Sequence, residues 1–144
     1  MISVWIANCR PENWQAVVQA NAFGLRSGWR MPALQRGDLI LLRQTGANYG
    51  VRAIWYYLSA RQVGAINPAP WSDAEYSWIL DCQPIVNLSR PFSERFRTSS
   101  KVSAKIPGFV AGRILPSLVH LKPSEAEGYL QGLLSEFGSE LDGT

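Results

Sequence analysis

The stretch RGDLILL at residues 36–42 decides the fold of this 144-residue chain. Its Gly-Asp turn opens a continuous apolar run, which is typical of a strand buried on both faces. Residues 44–50 then form a turn rich in Gly and Asn, and residues 51–58 return as a second apolar run with aromatic content. Two apolar runs joined by such a turn predict a β-hairpin.

Upstream of this hairpin the sequence predicts one strand and one helix. Residues 2–7 alternate loosely between apolar and polar side chains, as a half-buried strand does. Pro11 is tolerated in a first helical turn, and apolar residues then recur at helical spacing as far as Ala22. Gly24, within Phe23-Gly24-Leu25, is expected to end this helix.

Downstream of the hairpin a long loop and several short strands are expected. Two prolines exclude regular structure from residues 64–75. Residues 76–88 predict a strand interrupted at Pro84, which indicates a sheet edge or a bulge. Residues 89–108 are basic and rich in Ser and Pro, which predicts a loop, and residues 109–114 predict a short strand.

After one more short apolar run, Pro123 or Ser124 is expected to start the last helix and Gly138 to end it. These bounds predict a single domain over residues 1–138 and a short polar tail over residues 139–144. Strands outnumber helices, which excludes a doubly wound sheet with its alternating crossovers. We therefore expect an α+β fold, with a curled sheet or small β-barrel flanked by two or more helices.

The charge is uneven along the chain. Residues 1–120 carry thirteen basic and six acidic side chains, a net charge of +7, whereas residues 121–144 carry one basic and five acidic side chains. The basic side chains are densest in residues 90–113. A basic segment on a small domain indicates either a polyanionic partner or an ordinary solvated face.

Cysteine and histidine usage excludes several classes of protein. Cys9 and Cys82 are too few for a disulfide scaffold and lack metal-ligand spacing, so reduced thiols are expected. The single histidine, His120, is interpreted as a packed or capping residue. No metal or cofactor is expected. No signal peptide or membrane-spanning run is recognisable, which favours a cytoplasmic protein with no membrane partner.

Signatures of catalysis are equally sparse. No phosphate-binding loop, dinucleotide fingerprint or Gly-x-Ser-x-Gly elbow occurs. Asp73, Glu75 and Asp81 are interpreted as surface and turn carboxylates rather than as acid–base groups, which need to lie close together. We therefore expect no enzymatic activity.

The succession of motifs resembles the EVE domains. It consists of Trp5 in a first strand, then Asn8, then Glu12-Asn13-Trp14, the segment Phe23-Gly24-Leu25, and Gly-Asp before an aliphatic strand. The likeness extends in order over nearly the whole chain. Two residues depart from the family pattern: Phe23 stands where Trp is frequent, and Arg43 stands where Tyr is frequent and alters the expected pocket wall.

EVE, YTH and ASCH domains share the PUA-like fold, and the resemblance implies a reader of nucleic acid that flips a modified, methylated base into an aromatic-lined pocket. Of the two nucleic acids, DNA is favoured over RNA as the partner, and the choice between them stays open. A role as the specificity module of a modification-dependent restriction system follows, with a nuclease or motor domain in the same or a partner chain. The alternatives are a module that binds small molecules or proteins, and an RNA-binding domain without preference for modified bases.

Candidate pocket residues follow from this resemblance and from position along the chain. Asn8 ends the first strand and offers an amide donor and acceptor to a base edge, although an Asx turn explains it equally well. Four tryptophans lie on periodic elements and are expected in the core, whereas Trp29 and Trp71 lie in irregular segments. The candidate pocket comprises Asn8, Cys9, Phe23, Gly24, Trp29 and Trp71.

Phosphate contacts are expected from exposed cations. The basic arm over residues 90–113 has little apolar content before Ile106, so its charges face solvent or a polyanion. The candidate phosphate-binding residues are Arg26, Arg30, Arg95, Arg97, Lys101 and Lys105, with Arg36 as a substitute if the arm makes no contact.

Overall fold

The computed structural model describes residues 2–26, 30–46, 49–63, 76–92 and 118–141. These residues form six strands and two helices. Their bounds are β1 Val4–Cys9, α1 Pro11–Ala20, β2 Ala22–Arg26, β3 Leu39–Gln44, β4 Gly50–Gln62, β5 Tyr76–Phe92, β6 Leu118–His120 and α2 Pro123–Leu141. No helix in these ranges is long and apolar enough to cross a membrane.

The strands form one sheet in the order β2-β5-β4-β3-β1-β6. β1 and β3 are parallel, and all other neighbouring pairs are antiparallel. Because a parallel pair needs a long connection, α1 and β2 lie between β1 and β3 along the chain. The sheet curls into a half-barrel with two helices, which confirms the predicted α+β class, and the predicted hairpin is β3–β4.

The Gly-Asp turn before β3 holds several segments together. Gly37 has a φ of 94°, which glycine adopts without a Cβ penalty. The carboxylate of Asp38, only 3% exposed, accepts hydrogen bonds from the backbone N–H groups of Ser3 at 3.1 Å and Gln35 at 2.9 Å. It also accepts one from Nε1 of Trp5 at 3.1 Å. The turn therefore fixes where β3 begins relative to β1.

The sheet has a hydrophobic core on each face. The first core lies on the side of α1, which buries Val17 there. Trp5 and Trp55 are buried in this core, as predicted. Trp14 and Trp78 are half-buried and pack against it. Each large apolar side chain that is fully buried contributes roughly 1.5–3 kcal/mol relative to an exposed one.

The second core lies between the other face of the sheet and α2. Tyr129, Leu133 and Phe137 are the buried residues of this helix, and they recur every four residues on one face. Leu134, one position off this face, is 58% exposed. The last helix therefore packs one apolar face against the sheet.

The expectation that Gly24 ends α1 is wrong. The helix ends at Ala20, and Asn21 follows in the left-handed conformation with a φ of 50°. Asn tolerates this conformation better than other residues with a side chain, so it acts as the helix stop here. Gly24 instead lies within β2, where it pairs with Ile79 of β5.

β5 is longer and more regular than expected. Pro84 and Val86 pair with consecutive residues of β4, so Ile85 is an extra residue in β5 and forms a bulge. The pairing of β2 with β5 ends at Asp81, so Pro84 lies where no described strand needs its missing N–H. Pro84 therefore lies beside a bulge, in a part of β5 that pairs only with β4 among the described strands, and the predicted interruption is not observed. The strand continues through residues 89–92, which were expected to be a loop.

α2 does not end at Gly138. The helix kinks at Phe137, whose φ is −125° and ψ is 24°, and it ends at Leu141, three residues beyond Gly138. The carboxylate of Glu140 accepts hydrogen bonds from the backbone N–H and Oγ of Ser89 at 2.9 and 3.1 Å. This tie to β5 holds the last turn against the sheet, so the first residues of the predicted polar tail are helical.

Two further predictions lie outside the described residues. They are the loop over residues 64–75 and the strand over residues 109–114. Most of the basic arm lies outside them as well.

Candidate functional site

The carboxyl ends of the parallel strands β1 and β3 meet at one edge of the sheet. Asn8 is in register with Arg43, and Cys9 is in register with Gln44. The backbone N–H of Thr45 donates to the carbonyl of Cys9 at 2.9 Å and ties the two chain segments together beyond the strands. We call this region the carboxyl edge, and it comprises residues 8–10, 43–46 and 49.

A fully buried arginine lies at this edge. Arg43 is 0% exposed. Its Nε donates to Oδ1 of Asn8 at 2.7 Å, and its Nη1 donates to the hydroxyl of Tyr129 at 3.3 Å. Its guanidinium carbon lies 5.2 Å from the ring centroid of Tyr49, a cation–π distance. We call these four residues the Arg43 cluster.

Arg43 fixes the orientation of the Asn8 amide. A guanidinium only donates hydrogen bonds, so the amide atom that faces it must be the oxygen. The Nδ2 amino group is then the end of the amide directed away from the guanidinium. Because Asn8 is half-buried, the cluster connects a buried cation to a side chain that reaches the surface.

The burial of Arg43 carries a free-energy cost. Desolvation of a buried ion costs several kcal/mol. A hydrogen bond to a charged group returns only about 1.5–3 kcal/mol. An apolar side chain of similar volume would fill the same space without the desolvation cost. Arg43 is therefore a stronger candidate for a functional role than the apolar residues around it.

A second cation lies on the other side of the carboxyl edge. Arg52 is the extra residue between Val51 and Ala53 in a bulge of β4, and bulges commonly redirect a side chain. Its Nη1 donates to Oε1 of Gln44 at 3.3 Å, and its guanidinium carbon lies 6.0 Å from the ring centroid of Trp14. The half-buried Trp14 of α1 thus presents a flat ring with a cation against it.

The structure separates the residues of the predicted pocket. Asn8 points to the side of the second core, where its partner Arg43 contacts α2. Phe23 and Cys9 are buried in the first core, at 5% and 3% exposure, and Gly24 is buried within β2. The expectation that Asn8 and Phe23 line one pocket is therefore wrong, because their side chains lie on opposite faces of the sheet. Asn8 meets Arg43 instead.

The remaining predicted residues are placed only in part. Arg30 and Arg36 are exposed, and the backbone of Arg26 ends β2. The others, Trp29, Trp71, Arg95, Arg97, Lys101 and Lys105, lie outside the described residues. Their roles stay predictions.

The thiols lie in the core. Burial, with a smaller contribution from the neighbouring charge of Asp81, raises the pKa of Cys82 to about 12. Burial also raises the pKa of Tyr57, the cross-strand neighbour of Cys82, with added contributions from Cys82, Asp38 and Asp81. Within the described ranges, no group of three or more His, Cys, Asp or Glu side chains could hold a metal ion.

Sequence reasoning missed most of the Arg43 cluster. Arg43 stood out only as a departure from the EVE pattern within an otherwise apolar strand, and that was a usable signal. Tyr129 gave none, because it occupies an ordinary position on the apolar stripe of α2. Exposed Arg10, at the carboxyl edge directly after β1, was also missed as a candidate cation.

Comparison with known proteins bears on the fold. No protein-family model and no curated protein matches the chain. A hypothetical protein from Leishmania major superposes with a TM-score of 0.58 at 13% identity, over 94% of this chain and 97% of its own. ASCH from Zymomonas mobilis superposes with a TM-score of 0.55 at 18% identity, over 89% of this chain and 94% of its own. The fold is PUA-like.

At these identities the likeness extends to the PUA-like fold alone. Human THYN1, in complex with DNA containing 5-methylcytosine, superposes with a TM-score of 0.49 at 14% identity, over 90% of this chain and 96% of its own. That likeness is too weak to bear on the function of the present PUA-like domain.

Proposed function

We propose that this PUA-like domain binds nucleic acid and holds a modified base at the carboxyl edge. The observation that carries the proposal is the Arg43 cluster, in which a fully buried guanidinium orients the amide of half-buried Asn8. The resemblance of the sequence to EVE domains supports it independently, since that resemblance implies a modified base held in a pocket. Desolvation of Arg43 is then the cost of presenting Asn8 in one orientation.

The chemistry of the edge suits a flipped base. Extrusion of a base from a duplex costs a few kcal/mol, and stacking on an aromatic ring returns roughly 1–3 kcal/mol. A side-chain amide oriented by Arg43 at this edge suits hydrogen bonding to the edge of a base. Half-buried Tyr49, whose ring lies against the guanidinium that holds Asn8, offers an aromatic surface within the same cluster.

Phosphate contacts supply the remaining affinity. Arg10 is exposed at the carboxyl edge, and the first 120 residues carry a net charge of +7 from thirteen basic and six acidic side chains. Phosphate contacts position the nucleic acid without reading its sequence. Discrimination then rests on the base at Asn8, and general affinity rests on the cations.

The resemblance to EVE domains supports the finer parts of the proposal. These are DNA as the preferred partner, a methylated base as the ligand, and a place as the specificity module of a modification-dependent restriction system. The nuclease or motor activity of such a system would reside in another domain or chain, and this domain itself would catalyse no reaction.

The test is a set of matched oligonucleotides. Fluorescein-labelled duplexes that differ at one central cytosine, which is unmodified, methylated or hydroxymethylated, are titrated with the protein at about 50 and 200 mM salt. Methylated adenine and single-stranded RNA complete the set. One modified duplex should bind at least about tenfold more tightly than its unmodified counterpart, a difference of ~1.4 kcal/mol. All complexes should weaken at the higher salt concentration.

Two variants separate the site from general binding. Asn8→Ala should abolish the preference for the modified duplex and leave affinity for the unmodified duplex nearly unchanged. Asn87→Ala is the matched control, because Asn87 is an exposed asparagine on β5. Equal affinity of the wild type for every duplex would refute recognition of a modified base. Absence of binding to any oligonucleotide at low salt would refute nucleic-acid binding altogether.

A further inference from the structure

An exposed imidazole stacks on a buried indole at the β1–β6 border. His120 of β6 pairs directly with Trp5 of β1. Their ring centroids are 4.3 Å apart, and the ring planes are inclined by 20°. Trp5 is only 5% exposed, whereas His120 is exposed. One face of the imidazole therefore covers the indole, and the rest of the ring borders solvent.

The indole beneath His120 is held in place. Nε1 of Trp5 donates to Oδ2 of Asp38 at 3.1 Å, and the same carboxylate accepts the backbone N–H groups of Ser3 and Gln35. Because the indole of Trp5 is already anchored by a buried hydrogen bond, it loses little conformational entropy when a ligand stacks on His120. The pair of rings is thus a preorganised flat surface.

This surface is separate from the carboxyl edge. Trp5 belongs to the first core, whereas Asn8 points to the side of the second core. The two residues are three positions apart on β1, or about 10 Å at ~3.3 Å per residue. The Trp5–His120 stack therefore cannot contact the same base as Asn8.

Two exposed cations flank the stack along the chain. Lys122 follows His120 by two residues and is exposed. Arg36 precedes Asp38, the anchor of the indole, by two residues and is also exposed. Proteins that bind single-stranded nucleic acid commonly combine aromatic rings, on which the bases stack, with Lys and Arg side chains, which contact the phosphates. Histidine is among the rings on which unpaired bases stack.

We propose that His120 is a stacking platform for an unpaired nucleobase, distinct from the base held at the carboxyl edge. The inference rests on the proposed function for its partner class, nucleic acid. It adds that this partner presents a second unstacked base, in a single strand or next to a flipped nucleotide. The base stacks on the solvent side of the imidazole, and Trp5 supports the imidazole from the other side.

The single histidine of the chain makes the test specific to one residue. Proton NMR resolves the Hε1 and Hδ2 resonances of His120 without assignment of the other rings. The protein is titrated with a short single-stranded oligodeoxyadenylate and, separately, with adenosine monophosphate. Stacking should shift both resonances upfield through the ring current of the base, in a saturable manner. Anisotropy of the labelled oligonucleotide measures its affinity in parallel.

Variants separate stacking from support of the fold. His120→Ala should weaken binding of the single strand roughly tenfold, because loss of one stacking ring costs ~1–3 kcal/mol per base. His120→Phe keeps a flat ring and should restore most of the affinity. Tyr56→Ala is the matched control, since Tyr56 is an aromatic residue on β4, 40% exposed, and should change the affinity little.

The outcomes distinguish failure of the His120 platform from failure of the proposed function. If the oligonucleotide binds but the His120 resonances stay in place, and His120→Ala binds as the wild type does, the platform is refuted while the proposed function stands. If the modified-base preference at Asn8 fails but the resonances shift and His120→Ala weakens binding, the platform stands and the reader function is refuted.

Discussion

At the amino end of β3, Asp38 is 3% exposed, and at the carboxyl end Arg43 is 0% exposed. The two buried charges are satisfied in different ways. Asp38 accepts from two backbone N–H groups and one indole, which belong to chain segments that must meet for the sheet to form. Arg43 donates to the side chains of Asn8 and Tyr129.

The difference separates a folding role from a functional one. Backbone donors cannot leave Asp38 without unfolding β1 or the turn before β3, so the carboxylate is part of the framework. Side-chain acceptors can be replaced one at a time, and Asn8 reaches the surface. We therefore expect substitutions at the Asp38 end to change stability and substitutions at the Arg43 end to change binding.

The largest effect is expected at Asp38. Asp38→Ala leaves three donors near the core without their acceptor, and each such loss costs about 1–3 kcal/mol. The free energy of unfolding, measured by urea denaturation, should fall by ~3–5 kcal/mol. A loss below ~1 kcal/mol would show that water replaces the carboxylate easily and that the turn is not part of the framework.

The next effect is alkaline destabilisation at the same end of the sheet. The pKa of Cys82 is about 12 in the folded protein, above the ordinary value of 9.0. The folded state thus favours the protonated thiol, so stability is intact below pH ~9 and declines as the pH rises toward ~12. By pH ~10.5 the loss should be on the order of 1–2 kcal/mol.

The matching variant is Cys82→Ala, which has no thiol to ionise. Its free energy of unfolding should fall less steeply between pH ~9 and ~11 than that of the wild type. Parallel curves for the two proteins would mean that this thiol is not the group that responds to alkaline pH.

A smaller effect, and one on binding, is expected at Arg43. Arg43→Met removes a buried charge and its hydrogen bonds to Asn8 and Tyr129 while it fills a similar volume, so stability should fall by about 1–3 kcal/mol, less than for Asp38→Ala. Asn8 loses the donor that orients its amide, so affinity for the preferred modified duplex should fall roughly tenfold, or ~1.4 kcal/mol. Urea denaturation of Arg43→Met is measured alongside the titration. A loss of stability as large as that of Asp38→Ala would contradict the assignment of a folding role to Asp38 and a binding role to Arg43.

The smallest effect is expected from Tyr129→Phe. This change deletes one hydroxyl and its hydrogen bond from Nη1 of Arg43, and keeps the ring in the second core. Stability should fall by about 0.5–1.5 kcal/mol, and affinity should change no more than a few-fold because the bond to Asn8 remains. An affinity loss equal to that of Arg43→Met would mean that the orientation of the Asn8 amide depends on Tyr129 of α2 as much as on Arg43 of β3.

Local signals predicted the framework well. Gly37 and Asp38 marked the start of β3 because a left-handed glycine followed by an apolar run is a short-range pattern. Pro84 marked a bulge and an edge because its missing N–H restricts where it can lie in a sheet. The helix end was wrongly predicted at Gly24, because glycine also occurs within strands. The residue that ends the helix is Asn21, which adopts the left-handed conformation and is a weaker sequence signal than glycine.

The candidate site was less predictable, because its contacts join residues far apart in sequence. Asn8 and Arg43 are 35 residues apart, and Arg43 and Tyr129 are 86 apart. Nothing in the local sequence of α2 indicates that Tyr129 faces a guanidinium rather than more apolar atoms. Phe23 was placed beside Asn8 by analogy with the family, and the sheet puts the two side chains on opposite faces.

The position of β1 between β3 and β6 has a consequence for biosynthesis. Within this domain β1 is synthesised before both of its partners, β3 and β6, as in the pairing of Trp5 with His120. Such distant pairings slow folding because a large loop must close before they form. During synthesis one edge of β1 therefore stays without its partner strand until β6 has been made. An unpaired strand edge promotes aggregation of the nascent chain during this interval.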